Sequence, residues 1–169
     1  MAGAHEHHHH HDHGACDHAR DRSAQADAIL AEIERACAAR DLRLTPLRAS
    51  VLRELVSTHQ PLGAYDLIGR LTRAEGQKLA PVSVYRALDF LVANGFAHKL
   101  ESRNAFVACP HRHAPDDIVV FLYCEACGGV DEVESQPVRR AIEEVVRAQS
   151  FEPHHRAVEI AGLCSHCRR

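Results

Sequence analysis

Two Cys-x-x-Cys pairs, Cys124/Cys127 and Cys164/Cys167, are the residues of this chain best suited to chemistry. Each pair offers two sulfurs from one turn, and four sulfurs meeting at a point make the tetrahedron that zinc takes at about 2.3 Å. The pairs are separated by residues 128–163, a longer interval than in a compact zinc ribbon, so the intervening chain must itself hold a strand and a helix. Two such pairs in a chain without a secretory pattern read as a structural zinc centre. A redox dithiol would set its first cysteine at a helix start, and neither pair leads into a helical pattern. A second set is mixed: Cys109, His111, His113, Asp116, Asp117 and Glu132 offer sulfur, nitrogen and oxygen. The first set reads as a staple and the second as a sensor.

The elements that must position these ligands follow from the local pattern. Ile118–Tyr123 is a buried strand that delivers Cys124. Gly128-Gly129 turns the chain into the alternating strand Val130–Glu134. Pro137 starts a helix over Val138–Arg147, and Arg156–Ala161 is the strand that delivers Cys164. This α/β unit has too little apolar surface for a robust core of its own, which predicts a dimer interface along a strand edge or the helix.

Upstream the pattern changes to short helices. Ser23 can cap a helix carrying Ile29, Leu30, Ile33 and Cys37 on one face, where Cys37 reads as core rather than ligand. Thr45-Pro46 is a cap followed by a residue whose missing N–H is harmless at the first helical position. The second helix then buries Val51, Leu52, Leu55 and Val56. Gln60–Gly63 turns the chain into a third helix with Leu67, Ile68 and Leu71 inward. A fourth, from Val82 to Val92, buries Val84, Leu88, Leu91 and Val92 and leaves Ser83, Tyr85 and Arg86 off that face. Asn94-Gly95 opens a hairpin of Phe96–Leu100 and Ala105–Ala108. Helices followed by a two-stranded hairpin predict a winged helix-turn-helix. Its last helix enters the major groove, with Arg86 on a guanine edge or a phosphate and Lys99 and Arg103 of the wing on phosphates.

Charge agrees with that division. The net charge is −3, yet residues 40–103 carry ten Lys/Arg against six Asp/Glu, and the remainder ten against seventeen. A basic middle between acidic flanks suits a DNA-reading module joined to another function. Eight of the fifteen histidines lie in the first 22 residues, a low-complexity tail expected to be disordered and to bind metal loosely. His5-Glu6-His7-His8-His9 matches a metalloprotease pattern only formally, because that motif needs a stable helix. No apolar run approaches the roughly 18 residues of a membrane span, and the expected compartment is the cytoplasm. The expected organisation is α+β: a tail (1–22), a winged-helix DNA-binding domain (23–108) and an α/β dimerisation and metal-binding domain (109–169).

With these parts assembled, the chain resembles the ferric uptake regulator family of metal sensors. The resemblance runs over about residues 25–167. It rests on Arg43-Leu-Thr-Pro-Leu-Arg48, Val84-Tyr-Arg-Ala-Leu88, Gly95-Phe96 with His98, Cys124-x-x-Cys127-Gly128 and Cys164-x-x-Cys167. Ala64-Tyr-Asp-Leu67, Gly95–Ser102 and Cys109 make it most similar to the zinc uptake regulator branch. The resemblance implies a homodimer that binds double-stranded DNA at an AT-rich palindromic operator when loaded with metal, repressing uptake genes. It implies DNA contacts at Tyr65 and Arg86, structural zinc on the four cysteines, and regulatory zinc on His98, Cys109 and Glu132. Where the branch carries a further histidine, seven residues before Cys124, this chain has Asp117. His113 is the favoured fourth ligand, with Asp117, His111 and Asp116 as alternatives. Cys109, a soft donor, tilts the site toward zinc and away from iron or manganese.

Rival functions remain distinguishable by experiment. A peroxide sensor on the same scaffold would lose DNA binding to peroxide. A histidine-rich metal carrier would lose its function with residues 1–22. A zinc hydrolase needs an open metal site beside a general base, and no such set stands outside the tail; no enzyme activity is expected.

Overall fold

A computed structural model describes residues 17–76, 78–109, 117–153 and 157–168. The histidine run of the tail and His111, His113, Asp116, His154 and His155 lie outside the described residues. The first half is helical: α1 (Asp17–Ala39), α2 (Pro46–Val56), β1 (Leu62–Gly63), α3 (Ala64–Glu75), α4 (Pro81–Ala93), β2 (Ala97–Leu100) and β3 (Ala105–Ala108). The second half is β4 (Val119–Cys124), β5 (Val130–Val133), α5 (Gln136–Ala148) and β6 (Ala157–Gly162). No helix among the described residues is long and apolar enough to cross a membrane.

The helices start where their caps dictate. Thr45 is extended and its Oγ1 accepts from the Arg48 amide at 3.5 Å, with Pro46 at the first helical position. Arg48 also donates from Nη1 to the Arg43 carbonyl at 2.6 Å and stacks 3.6 Å over the Phe90 ring, tying the start of α2 to α4. Val51, Leu52, Leu55, Val56, Leu67, Leu71, Val84, Leu88 and Leu91 form the centre of the main core, with Ile29, Ile33 and Cys37 of α1 against them. Burial pushes the Cys37 thiol up, as befits a core residue. Two elements differ from expectation. The first helix begins at Asp17 rather than after Ser23, because Ala19–Ala28 contains no glycine, proline or β-branched residue to stop it. Gln60–Gly63 is more than a turn: Leu62 and Gly63 pair with Phe106 and Ala105 of β3.

The wing is a three-stranded sheet in the order β1-β3-β2, and the second half is a sheet in the order β5-β4-β6. β5 runs antiparallel and β6 parallel to β4. The second half does not build its core alone. Val119, Phe121 and Val130 share a buried cluster with Leu100 and Val107 of the wing. Phe121 is its largest member and fully buried. Phe121→Ala is expected to cost about 3–5 kcal/mol by removing the ring that joins the two sheets. The denaturant midpoint measures it, and a loss below about 1 kcal/mol would mean the cluster is not a core. Helix α5 contributes no buried residue; Val138 and Val145 on it are exposed, the latter by 63%. Arg139 holds the helix to the start of β4 by an ion pair with Asp117 at 2.5 Å and bonds Glu143 at 3.0 Å.

Candidate metal centres

The parallel pairing of β4 and β6 builds the first centre. The register sets Cys124 opposite Gly162, so both strands finish at the same edge of the sheet and each runs into its Cys-x-x-Cys turn there. The Glu125 amide donates to the Gly162 carbonyl at 2.8 Å and locks the two exits together. The first turn closes by the Gly128 amide on the Cys124 carbonyl and the Cys124 amide on the Gly129 carbonyl, both at 2.8 Å. Gly128 sits at φ +72°, which a side chain would strain. Gly129 lies so close to its neighbours that a Cβ would meet the His59 ring at 3.0 Å and Cys127 Sγ at 3.3 Å. The second turn closes by the amides of Cys167 and Arg168 on the Cys164 carbonyl, at 3.1 and 3.0 Å.

The four sulfurs of Cys124, Cys127, Cys164 and Cys167 all lie within 4.8 Å of one another. A tetrahedron with metal–sulfur bonds of about 2.3 Å holds its sulfurs roughly 3.8 Å apart, so the set fits zinc. Its electrostatics fit as well. Burial pushes the Cys124 thiol up, but the amides of Cys127, Cys164 and Ala126 outweigh it and bring Cys124 down to about 6. One of these is the Cys164 amide, 3.3 Å from Cys124 Sγ. Cys167 is pushed the other way, by its hydrogen bond to Cys164 and then by burial. The Cys124 thiolate is favoured and Cys167 holds its proton, since adjacent negative charges require a cation.

The second centre joins the halves of the molecule. His98 lies on β2, Cys109 directly after β3, and Glu132 on β5; their donor atoms also fall within 4.8 Å of one another. Cys109 Sγ is 3.7 Å and His98 Nε2 4.0 Å from Glu132 Oε1. The Glu132 side chain is only 2% exposed, an expensive place for a carboxylate without a cationic partner. The Cys109 amide donates to the Phe96 carbonyl at 3.1 Å, and the Phe121 ring packs edge-on against His98 at 5.2 Å. Imidazole, thiol and carboxylate are a donor set zinc accepts. Among the described residues the group holds these three. Asp117 is engaged by Arg139 rather than gathered with them.

The residues expected at DNA divide. Tyr65, at the start of α3, is 75% exposed; Tyr85 and Arg86 project from α4 and Ser83 is half-buried there. Lys99 pairs with Glu101 at 2.7 Å. The Arg103 guanidinium lies 4.0 Å from the centre of the Tyr123 ring, toward the second sheet. Sequence reasoning also missed the seam between the two halves. Gln60 Nε2 donates to the Cys127 carbonyl at 2.7 Å, the Val130 amide donates to the His59 carbonyl at 3.1 Å, and Glu159 binds the wing turn. Those partners are 58 to 67 positions apart in the pairs Glu101–Glu159 and Gln60–Cys127, and no local pattern marks them.

Comparison with known proteins agrees with this arrangement. The chain is 39% identical over 139 residues to the zinc uptake regulation protein of Escherichia coli (strain K12), covering 82% of this chain and 81% of that one. A zinc uptake regulator complexed with zinc and DNA superposes with a TM-score of 0.78 at 38% identity, over 85% of this chain and 95% of that one. Holo XcZur superposes at 0.75 with 45% identity, over 83% and 97%. Residues 39–161, from the end of α1 into β6, match the model of the ferric uptake regulator family, and the chain is a member of that family.

Proposed function

We propose that this chain is a zinc-responsive, DNA-binding transcriptional regulator that acts as a homodimer and represses zinc uptake genes. One observation carries the reading: His98, Cys109 and Glu132 converge from the wing, the connection after it and the second sheet. A ligand that favours this convergence shifts the balance between arrangements of the two halves. Bound zinc would supply the charge that lets a thiolate and a carboxylate share one buried point. His98 and Glu132 then fix the wing against the second sheet, and Cys109 fixes the connection. We assign the fourth ligand to His113 of the 110–116 segment, because Arg139 occupies Asp117; His111 is the alternative. The relatives named for zinc support the metal, and Cys109 supports zinc over harder metals.

Two copies would bury what one copy leaves exposed: Val138 and Val145 of α5, and Ile160 and Leu163 at the β6 edge. Two α4 helices then face two half-sites of a palindromic, AT-rich operator. Arg86 reads a base edge or phosphate there, flanked by Ser83 and Tyr85, with Tyr65 and Lys99 on the backbone. Arg86→Ala is expected to weaken operator binding by about 1–3 kcal/mol while zinc content and dimer mass stay unchanged. Fluorescence anisotropy measures the first, metal analysis and light scattering the others. The whole reading is tested by operator binding across buffered zinc concentrations. Metal-stripped regulatory sites that bind as tightly as loaded ones would overturn it.

A further inference from the structure

The sheet register aligns three residues in one row across the second sheet. Phe121 pairs with Glu132 of β5 on one side and with Glu159 of β6 on the other. All three address the wing. Glu132 meets His98 and Cys109, and Phe121 packs on the His98 ring. Glu159 accepts a hydrogen bond from the Glu101 amide at 2.8 Å and another from the Ser102 hydroxyl. Glu101 and Ser102 are the first residues of the wing turn, directly after the strand that carries His98.

We propose that Glu159 is a positioning residue for the mixed metal site: its carboxylate holds the wing turn so that His98 already faces Cys109 and Glu132 when zinc arrives. The proposal rests on reading those three residues as a zinc site. The physical basis is population. Apparent affinity equals intrinsic affinity multiplied by the fraction of molecules in the competent arrangement. Glu159 bonds the wing turn where the wing is docked on β6, and a charged acceptor of two hydrogen bonds is stronger than a neutral one. Neither bond involves a metal ligand, so the contact can form before the ion does. Arg103 on the Tyr123 ring lies in the same seam and favours the same docking.

The test is zinc competition against a chelator, using full-length protein whose four-cysteine centre is loaded, with zinc alone as the probe. Glu159→Ala is expected to weaken the second zinc site about fivefold. Glu159→Gln should fall between it and wild type, because the carboxamide oxygen still accepts one neutral bond. Ser102→Ala should show part of the loss and add little to Glu159→Ala, since both remove the same contact. The first zinc equivalent should be unchanged in all three. A second zinc site within twofold of wild type in Glu159→Ala would overturn the role of Glu159 alone. A wild-type protein that takes no second zinc would overturn the site itself and the proposal with it.

Discussion

Replacing Cys109 with alanine is expected to abolish the zinc dependence of operator binding while leaving the fold and the four-cysteine centre intact. The Cys109 side chain is buried at the connection between the halves, 3.7 Å from Glu132. Without its sulfur the site keeps His98, Glu132 and the assigned His113, one donor short of a closed tetrahedral site, and loses the ligand that ties the connection to both halves. The backbone should tolerate the change, because the hydrogen bond from its amide to the Phe96 carbonyl is main-chain and alanine suits a small buried position. Coupling between metal and operator in such switches is about 1–3 kcal/mol, so roughly 5- to 150-fold in affinity should vanish. His98→Ala should do the same. Anisotropy with a labelled operator in buffered zinc reads the difference. Full zinc-dependent binding in Cys109→Ala would defeat the hinge mechanism outright.

The larger structural loss is expected at Cys124. Cys124→Ser should release the first zinc equivalent, lower the melting temperature sharply and cost the protein its dimer. Among the described residues, the cluster of the second half holds five buried apolar residues, two of them borrowed from the wing. Such a unit relies on its metal for cohesion, and structural zinc is worth about 10–16 kcal/mol in small zinc domains. Cys124 is also the sulfur best prepared to bind as thiolate, through three main-chain amides. A serine oxygen in that nest keeps some hydrogen bonds but not the soft ligand. Circular dichroism, size exclusion and metal analysis report the three consequences. A variant that kept its dimer and melted within a few degrees of wild type would show that the four cysteines are no staple.

The ligands themselves were legible in the sequence because metal chemistry leaves a local mark. Cys124-x-x-Cys127 and Cys164-x-x-Cys167 announce themselves by spacing, and the flanking strands by their apolar runs. Helices α2 and α4 were legible from Thr45-Pro46 and from the spacing of Val84, Leu88 and Leu91. The convergence of His98 with Cys109 and Glu132 was not. Imidazole on a wing strand has no pattern of its own, and only the resemblance assigned it. β1 was missed because two residues carry no periodicity. Arg103 was read as a phosphate contact from charge alone, and its stacking on the ring of Tyr123, twenty positions later, has no local mark. The Gln60–Cys127 and Glu101–Glu159 contacts depend on how two sheets dock, which no short window of sequence encodes.

The parallel β4–β6 register has a consequence for the order of assembly. Cys127 and Cys164 become neighbours only after β5, α5 and β6 have been laid down and the crossover has closed. Distant pairing of this kind forms late, because loop closure must precede the contacts that reward it. One turn alone offers an ion two sulfurs and little hold. Four sulfurs therefore meet at one point only once the second half has finished folding, so an ion held by all four marks a completed sheet.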